Sequence, residues 1–359
     1  MFGTFFDKVT GLFDRRFMLG LLLPTFAFFA GVGALVATDL GWTQTSSWWQ
    51  NLGASRQVTL AIAAAAGLVF VATVLGTQVV TMTRILEGYW RWAWTDKTIG
   101  ALGRRYQHHR LTRLAKDTSA TGYLSRYLAF APAELGAMLP TRLGNTLRAA
   151  ESYSGDGERW GLDAVFWWPR LYLIIPDSAR GQVDEARASM DQMVVLSVLS
   201  AVFAAVAAGF GIAGLPLAVW ASCAVGALVV SWLTYRAAVS SAAVFGDLVR
   251  SCFDLFRNDL LTHLGWPLPE RLPDERALWN ALGQQLYRRG TSSLEQELIN
   301  APRTTSPAAP QNPGPQGSEP VRPGRLQQFL RVSLGGKPSA GRSAAWISYF
   351  NPKNARGGS

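Results

Sequence analysis

The sequence is poor in charge, histidine and cysteine, and each shortage excludes something. Asp, Glu, Lys and Arg make up 16% of the 359 residues, well under the roughly 25% of soluble domains. The two cysteines, Cys223 and Cys252, supply no disulfide framework. His108 and His109 are adjacent, so on a helix they project about 100° apart and cannot act as the i, i+4 pair of a metal-binding helix. His263 stands alone, with no cysteine or carboxylate cluster to complete a site. No G-x-S-x-G or H-E-x-x-H pattern occurs, and the neighbours Asp156 with Glu158 and Asp184 with Glu185 read as ordinary surface carboxylates. No catalytic, cofactor-binding or metal-ligating residue is therefore expected.

What the chain has instead is apolar length. Phe17 to Thr38, Val58 to Met82, Met193 to Ala213 and Leu217 to Tyr235 each run without an Asp, Glu, Lys, Arg or His. A helix needs about 20 such residues to cross a hydrocarbon core of about 30 Å. Four transmembrane helices are expected, arranged as two hairpins. Basic residues then orient them, because Lys and Arg near span ends stay on the cytoplasmic side. Lys8, Arg15 and Arg16 precede the first span; Arg84, Arg91, Lys97, Arg104 and Arg105 follow the second. Arg180 and Arg187 precede the third, and Arg236, Arg250 and Arg257 follow the fourth, while the other two connections hold only Arg56. Both termini and the middle segment are placed in the cytoplasm, at the plasma (inner) membrane. A net charge of +10 fits a basic face beside anionic lipid, and no nucleic-acid-binding pattern accompanies it.

The expected fold class is an all-α membrane protein with a mainly helical cytoplasmic domain between and after the hairpins. Residues 1–16 form an interfacial amphipathic segment, with Phe2, Phe5, Phe6, Val9 and Phe13 at helical spacing. Residues 17–82 are the first hairpin, 83–192 the cytoplasmic domain and 193–235 the second hairpin. Residues 236–300 are cytoplasmic helices packing on the middle domain, and 301–359 a disordered Pro, Gly and Ser-rich tail. The first outer connection is read as a polar loop whose Trp42, Trp48 and Trp49 anchor in the headgroup layer. Ala201, Ala205, Gly209 and Ala213 on the third span, and Ala218, Ser222 and Gly226 on the fourth, recur every four residues. Small residues at that spacing let helices pack closely, here against each other, with homo-oligomerisation as the alternative. "GFGIAG", Gly209 to Gly214, lies at a helix end in a span, so packing and a turn explain its glycines better than a dinucleotide site. The second span is expected to run on into a basic helix around Arg104 to Lys116, either solvated or on acidic lipid.

"LPTRLGNTLRAAE", Leu139 to Glu151, is the stretch that most suggests a site. If Thr141 caps a helix after Pro140, then Leu143, Leu147 and Ala150 form an apolar stripe, and Arg148 meets Glu151 at i, i+3. Arg142, Asn145 and Arg148 would then meet Asp163 or Arg170 as a buried polar network, or Arg142 and Arg148 would form an anion site. The segment "LDAVFWWPRLYLIIPD" is too short for periodicity to separate strand from buried helix.

With "LPTRLGNTLRAAESY" followed by "RWGLDAVFWWPRLYLIIPD" and a paired-span segment, the chain resembles a family of uncharacterised bacterial integral membrane proteins. In these a TRLGN-type stretch and a YGLD-type, WPRL-type stretch lie between two transmembrane hairpins. The resemblance covers about residues 10–240, with Trp160 where the family pattern has tyrosine. It implies topology and supplies no catalytic residue. The expected function is a non-enzymatic scaffold or interaction protein that presents the cytoplasmic domain to an unknown protein partner. The alternatives are a homo-oligomeric permeation subunit, lined by residues such as Thr73, Thr77 and Gln78, and a lipid-acting enzyme using Arg142 or Asp163. Coupled transport is disfavoured, since no span holds an ionisable group.

Overall fold

The computed structural model describes residues 15–90, 93–116, 138–155 and 159–288. The segment 1–14 with its phenylalanines, the C-terminal tail and residues 156–158 of the "SGDGERWG" break lie outside the described residues. Everything assigned among the described residues is helical. Four helices are long and apolar enough to cross a membrane: Met18–Leu40, Ala54–Glu87, Asp177–Ala213 and Leu217–His263.

Helix α1 (Leu23–Leu40) is entered through a π-helical turn at Met18–Leu22. Pro24 explains that turn, because it has no amide to offer Gly20 and its ring crowds the same carbonyl in a regular helix. The wider turn also leaves the Leu19 carbonyl accepting from Gln192 Nε2 at 3.2 Å. Gly41, at φ 91°, breaks the chain before α2 (Trp42–Asn51). This connection, expected as a loop, is a helix because nothing between Gly41 and Gly53 interrupts it. Trp42, Trp48 and Trp49 are all exposed on it.

Helix α3 (Ala54–Glu87) ends at Gly88, in the left-handed region at φ 97°, where Gly88 N bonds the Arg84 and Ile85 carbonyls and Tyr89 N bonds Arg84 O. This glycine stop satisfies the last carbonyls and ends the helix. The second span therefore does not run on into the basic segment. That segment is a separate helix, α4 (Ala101–Lys116), preceded by turns at Ala93–Thr95 and Asp96–Gly100.

Helices α5 (Arg142–Ser152) and α6 (Ala164–Ile174) follow, and "AVFWWPRLYLI" is thus helical. The Asp163 side chain caps α6 through Val165 N and Phe166 N, which decides the conformation that the apolar run alone leaves open. Helix α7 (Asp177–Ala213) packs along α1 and α3. Gly31 permits the closest approach: a Cβ there would lie 2.7 Å from Phe203 Cε2.

Helix α7 meets α8 (Leu217–His263) through Ser197 and Ser231, each hydroxyl donating to the other's carbonyl at 3.1 and 2.9 Å. Nearer the turn, Gly211 lies under the Trp220 ring, and Gly214 adopts φ 116°. The glycines of "GFGIAG" thus serve packing and a turn. The predicted small-residue stripes do not make this contact. Ala201, Ala205, Gly209 and Ala213 are exposed, as are Ala218, Ser222 and Gly226. A cluster of Leu35, Ala207, Leu215 and Ala224, with Phe203, Phe210 and Trp220 around it, joins the helices instead. Spacing of four predicts a stripe, but the phase facing the neighbour is set where the larger rings find room.

The chain divides into two compact units, 1–257 and 258–359. In the second, α9 (Leu272–Arg288) has Asp274 and Glu275 in its first turn, where the helix dipole favours them, and Trp279 Nε1 donates to Glu275 Oε1 at 3.3 Å.

Candidate functional site

The stretch from Met138 to Glu151 builds a clasp on the end of α3. Thr141 caps α5, accepting from Gly144 N at 3.1 Å, and its hydroxyl donates to the Glu87 carbonyl at 2.7 Å. One hydroxyl thereby satisfies an orphan amide of α5 and an orphan carbonyl of α3. The Glu87 carbonyl occupies the place of a Cβ on Gly144, so only glycine fits there. Asn145 is fully buried: its Oδ1 accepts from Leu139 N at 2.8 Å, and its Nδ2 donates to Leu139 O and Thr141 O at 2.8 and 2.9 Å. Pro140, held in that loop, packs on Gly88 at the end of α3 and on Gly103 of α4. The stripe Leu143, Leu147 and Ala150 is buried as expected, and Gly246 of α8 backs Ala150. The Leu143 amide also reaches the Tyr235 hydroxyl at 3.3 Å, where the fourth apolar run ends.

Beside the clasp lies a cluster of charge. Glu87 is 6% exposed, and its electrostatic neighbours are Arg187, Arg84 and Asp191. Arg187 is itself buried against the Phe245 ring and pairs with Asp191 at 3.1 Å. Glu151, half-buried, is pushed up to about 7 by burial and by the Glu87 carboxylate, with Asp163 adding to this and Arg148 and Arg84 opposing it. Burial and the Glu151 carboxylate push the Tyr89 phenol up to about 12. A second polar link ties α5 to α8. The Tyr153 hydroxyl donates to Asp254 at 2.9 Å, and burial first, then that bond, raises its phenol. Arg159 stacks on Tyr153 with its guanidinium carbon 4.0 Å from the ring centroid.

No protein-family model, curated protein or solved structure matches this chain.

The six residues singled out in the sequence take separate places. Arg148 and Glu151 share the charge cluster, and Asp163 reaches it electrostatically while its side chain, exposed, caps α6. Asn145 closes the clasp alone. Arg170 bonds the Phe166 carbonyl at 2.8 Å and covers the Phe166 ring at 4.1 Å, and burial lowers its pKa. Arg142, at the first position of α5, is half-buried, and its carbonyl accepts from Thr146 Oγ1 at 2.9 Å. Among the described contacts, Arg148, Glu151 and Asp163 share the charge cluster, while Asn145, Arg170 and Arg142 make contacts of their own. Capping and stacking satisfy Asp163 and Arg170 within their own helix, which removes the need for a distant partner.

Glu87, Tyr89, Arg187 and Tyr235 were not expected as site residues: Arg187 counted only toward orientation and Tyr235 only as the end of the fourth apolar run, since each lies at a position unremarkable in one dimension. The only signal was a lone carboxylate, Glu87, just beyond the second apolar run. Thr73 and Thr77 donate to carbonyls of their own helix and lie, with Gln78, on the exposed side of α3. His108 and His109 are exposed on α4, and His263 Nδ1 lies 2.8 Å from the Asp259 carbonyl. Chemically, the arrangement can hold α5 rigidly on the end of α3, beside a buried cluster of carboxylates and arginines.

Proposed function

We propose that this is an integral plasma-membrane scaffold. Two helical hairpins leave both termini and the middle segment in the cytoplasm, and the helical domain forms a fixed platform at the inner leaflet that receives a protein partner. The observation that carries this reading is the clasp. Thr141, Gly144 and Asn145, the residues that gave the stretch its site-like look, are consumed in seating α5 on the end of α3. Such a joint transmits position and turns over nothing. The one-sided distribution of Arg and Lys supports the orientation, and the resemblance of the TRLGN-type and WPRL-type stretches to those of bacterial membrane proteins supports the same topology.

A reporter active only outside the cytoplasm, fused after Ser359, is expected to stay silent, while the same reporter in the α2 segment is active. The reverse pattern overturns the topology. A second reading, a permeation subunit, draws on the exposed small-residue stripe of Ala201, Ala205, Gly209 and Ala213, which is available to another copy. Ion or solute flux through liposomes holding the purified protein would favour it over the scaffold.

A further inference from the structure

We infer that α4, with the turns that lead into it, is an interfacial helix whose exposed apolar stripe lies in a bilayer surface containing anionic lipid. The inference rests on the reading of α3 as a membrane span.

Three observations carry it. First, the stripe is apolar and exposed: Ile99 is 55% exposed, Leu102 66% and Tyr106 66%. Ile99, Leu102 and Tyr106 follow one another at i+3 and i+4, so they share one side. Gly100, Gln107 and Leu111, buried, mark a different side.

Second, the same side carries cations. Arg105 and Arg113 stand three and eleven residues after Leu102, and both are exposed. Arg104 is excluded from this count, being held by Asp96 at 2.6 Å. An apolar stripe bordered by arginine suits headgroups and upper acyl chains together, as a protein groove or plain water does not.

Third, the clasp fixes the depth. Pro140 touches both Gly88, the residue that ends α3, and Gly103 in α4: a Cβ on Gly103 would lie 2.7 Å from the Pro140 carbonyl. One proline therefore separates the first turn of α4 from the end of α3, read here as crossing the bilayer. Only five residues, Gly88 to Trp92, join α3 to the turn that opens this segment. Leu102, next to Gly103, is thereby held at headgroup level.

The test uses the full chain with Cys223 and Cys252 replaced by Ser and a single fluorescent label introduced by Leu102→Cys or, separately, Tyr106→Cys. Both positions are exposed, so neither change removes core. His108→Cys labels the polar side, and Phe70→Cys, exposed within α3, labels the span. The protein is reconstituted in phosphatidylcholine vesicles with or without phosphatidylglycerol. Labels at 102 and 106 are expected to be quenched by brominated lipid and shielded from aqueous iodide, and the label at 108 to behave oppositely. Phosphatidylglycerol should strengthen the lipid quenching, and Arg105→Glu with Arg113→Glu should abolish that gain, at about fivefold in partitioning per charge.

Iodide access at 102 and 106 equal to that at 108 would overturn the inference. So would shielding from iodide without lipid quenching, which means that protein covers the stripe. The label at 70 separates the two levels: quenched there but not at 102, α3 spans and only this inference fails; quenched at neither, the span itself fails.

Discussion

At the scale of single residues, two positions bear on how α5 is seated against α3. Gly144→Ala drives a methyl into the Glu87 carbonyl, which belongs to a helix end and cannot swing away. The change should cost about 1–3 kcal/mol, the range for overpacking a closed contact, read as a lowered midpoint of thermal unfolding in detergent. Gly144→Ser should be no better, since the obstacle is Cβ itself. Glu151 predicts a pH dependence. Its folded-state pKa stands near 7 against an ordinary 4.5, so the native state binds more protons between those values. Its contribution to stability is therefore least favourable above pH 7 and improves as pH falls from 7 toward 4.5. Glu151→Gln should flatten that slope in unfolding measured across this range. A slope unchanged by the substitution would mean that another group titrates there.

At the scale of elements, the joints between helices use polar groups in small number. Asn145 holds three bonds to backbone that is otherwise buried, and Asn145→Ala would strand the Leu139 amide and carbonyl. The expected loss is roughly 1–3 kcal/mol, and Asn145→Asp should recover only the amide bond, leaving two acceptors facing each other. Limited proteolysis is a sensitive readout, since loosening α5 exposes the loop before it. Ser197 and Ser231 offer a contrast. Their coupling in a double-mutant cycle with alanine should be only about 0.6 kcal/mol, because separated helices in lipid find other partners for their hydroxyls. These joints also show how far pattern reading extends. The Thr141 cap and the Leu143, Leu147 and Ala150 stripe were legible, because capping and a helical period are local properties. The partners of the cap were not, since Glu87 lies 54 residues away. The end of α3 was partly legible: Gly88 invites a stop, yet the tryptophans and arginines beyond it read equally well as one continued helix.

At the scale of the whole molecule, four long apolar helices place a firm demand on handling. The protein should stay in the membrane pellet after washing with alkaline carbonate or high salt and require detergent for release. Appearance in the supernatant would contradict the spans. The scaffold reading adds that stability in detergent should track the clasp more than the exposed face of α3, whose Thr73 and Thr77 hydroxyls are already satisfied within the helix. Substituting either by Val should leave unfolding unchanged within about 0.5 kcal/mol, as for surface positions generally.

The sequence by itself determined the helical class, the number and limits of the four apolar runs, the capping of α5 and the side on which its leucines lie. Each of these follows from hydrophobic length or from interactions within a few residues. Only the tertiary structure decided that the small-residue stripes face outward and that "LDAVFWWPR" is a helix with its own cap. Only it showed that Pro140 fits between two glycines 15 positions apart, and that the Glu87 carboxylate acts electrostatically on Glu151. Those are questions of phase and of distance between elements. A periodic pattern states that a helix has a face; which neighbour that face meets depends on where bulky rings and bare glycines allow two backbones to approach.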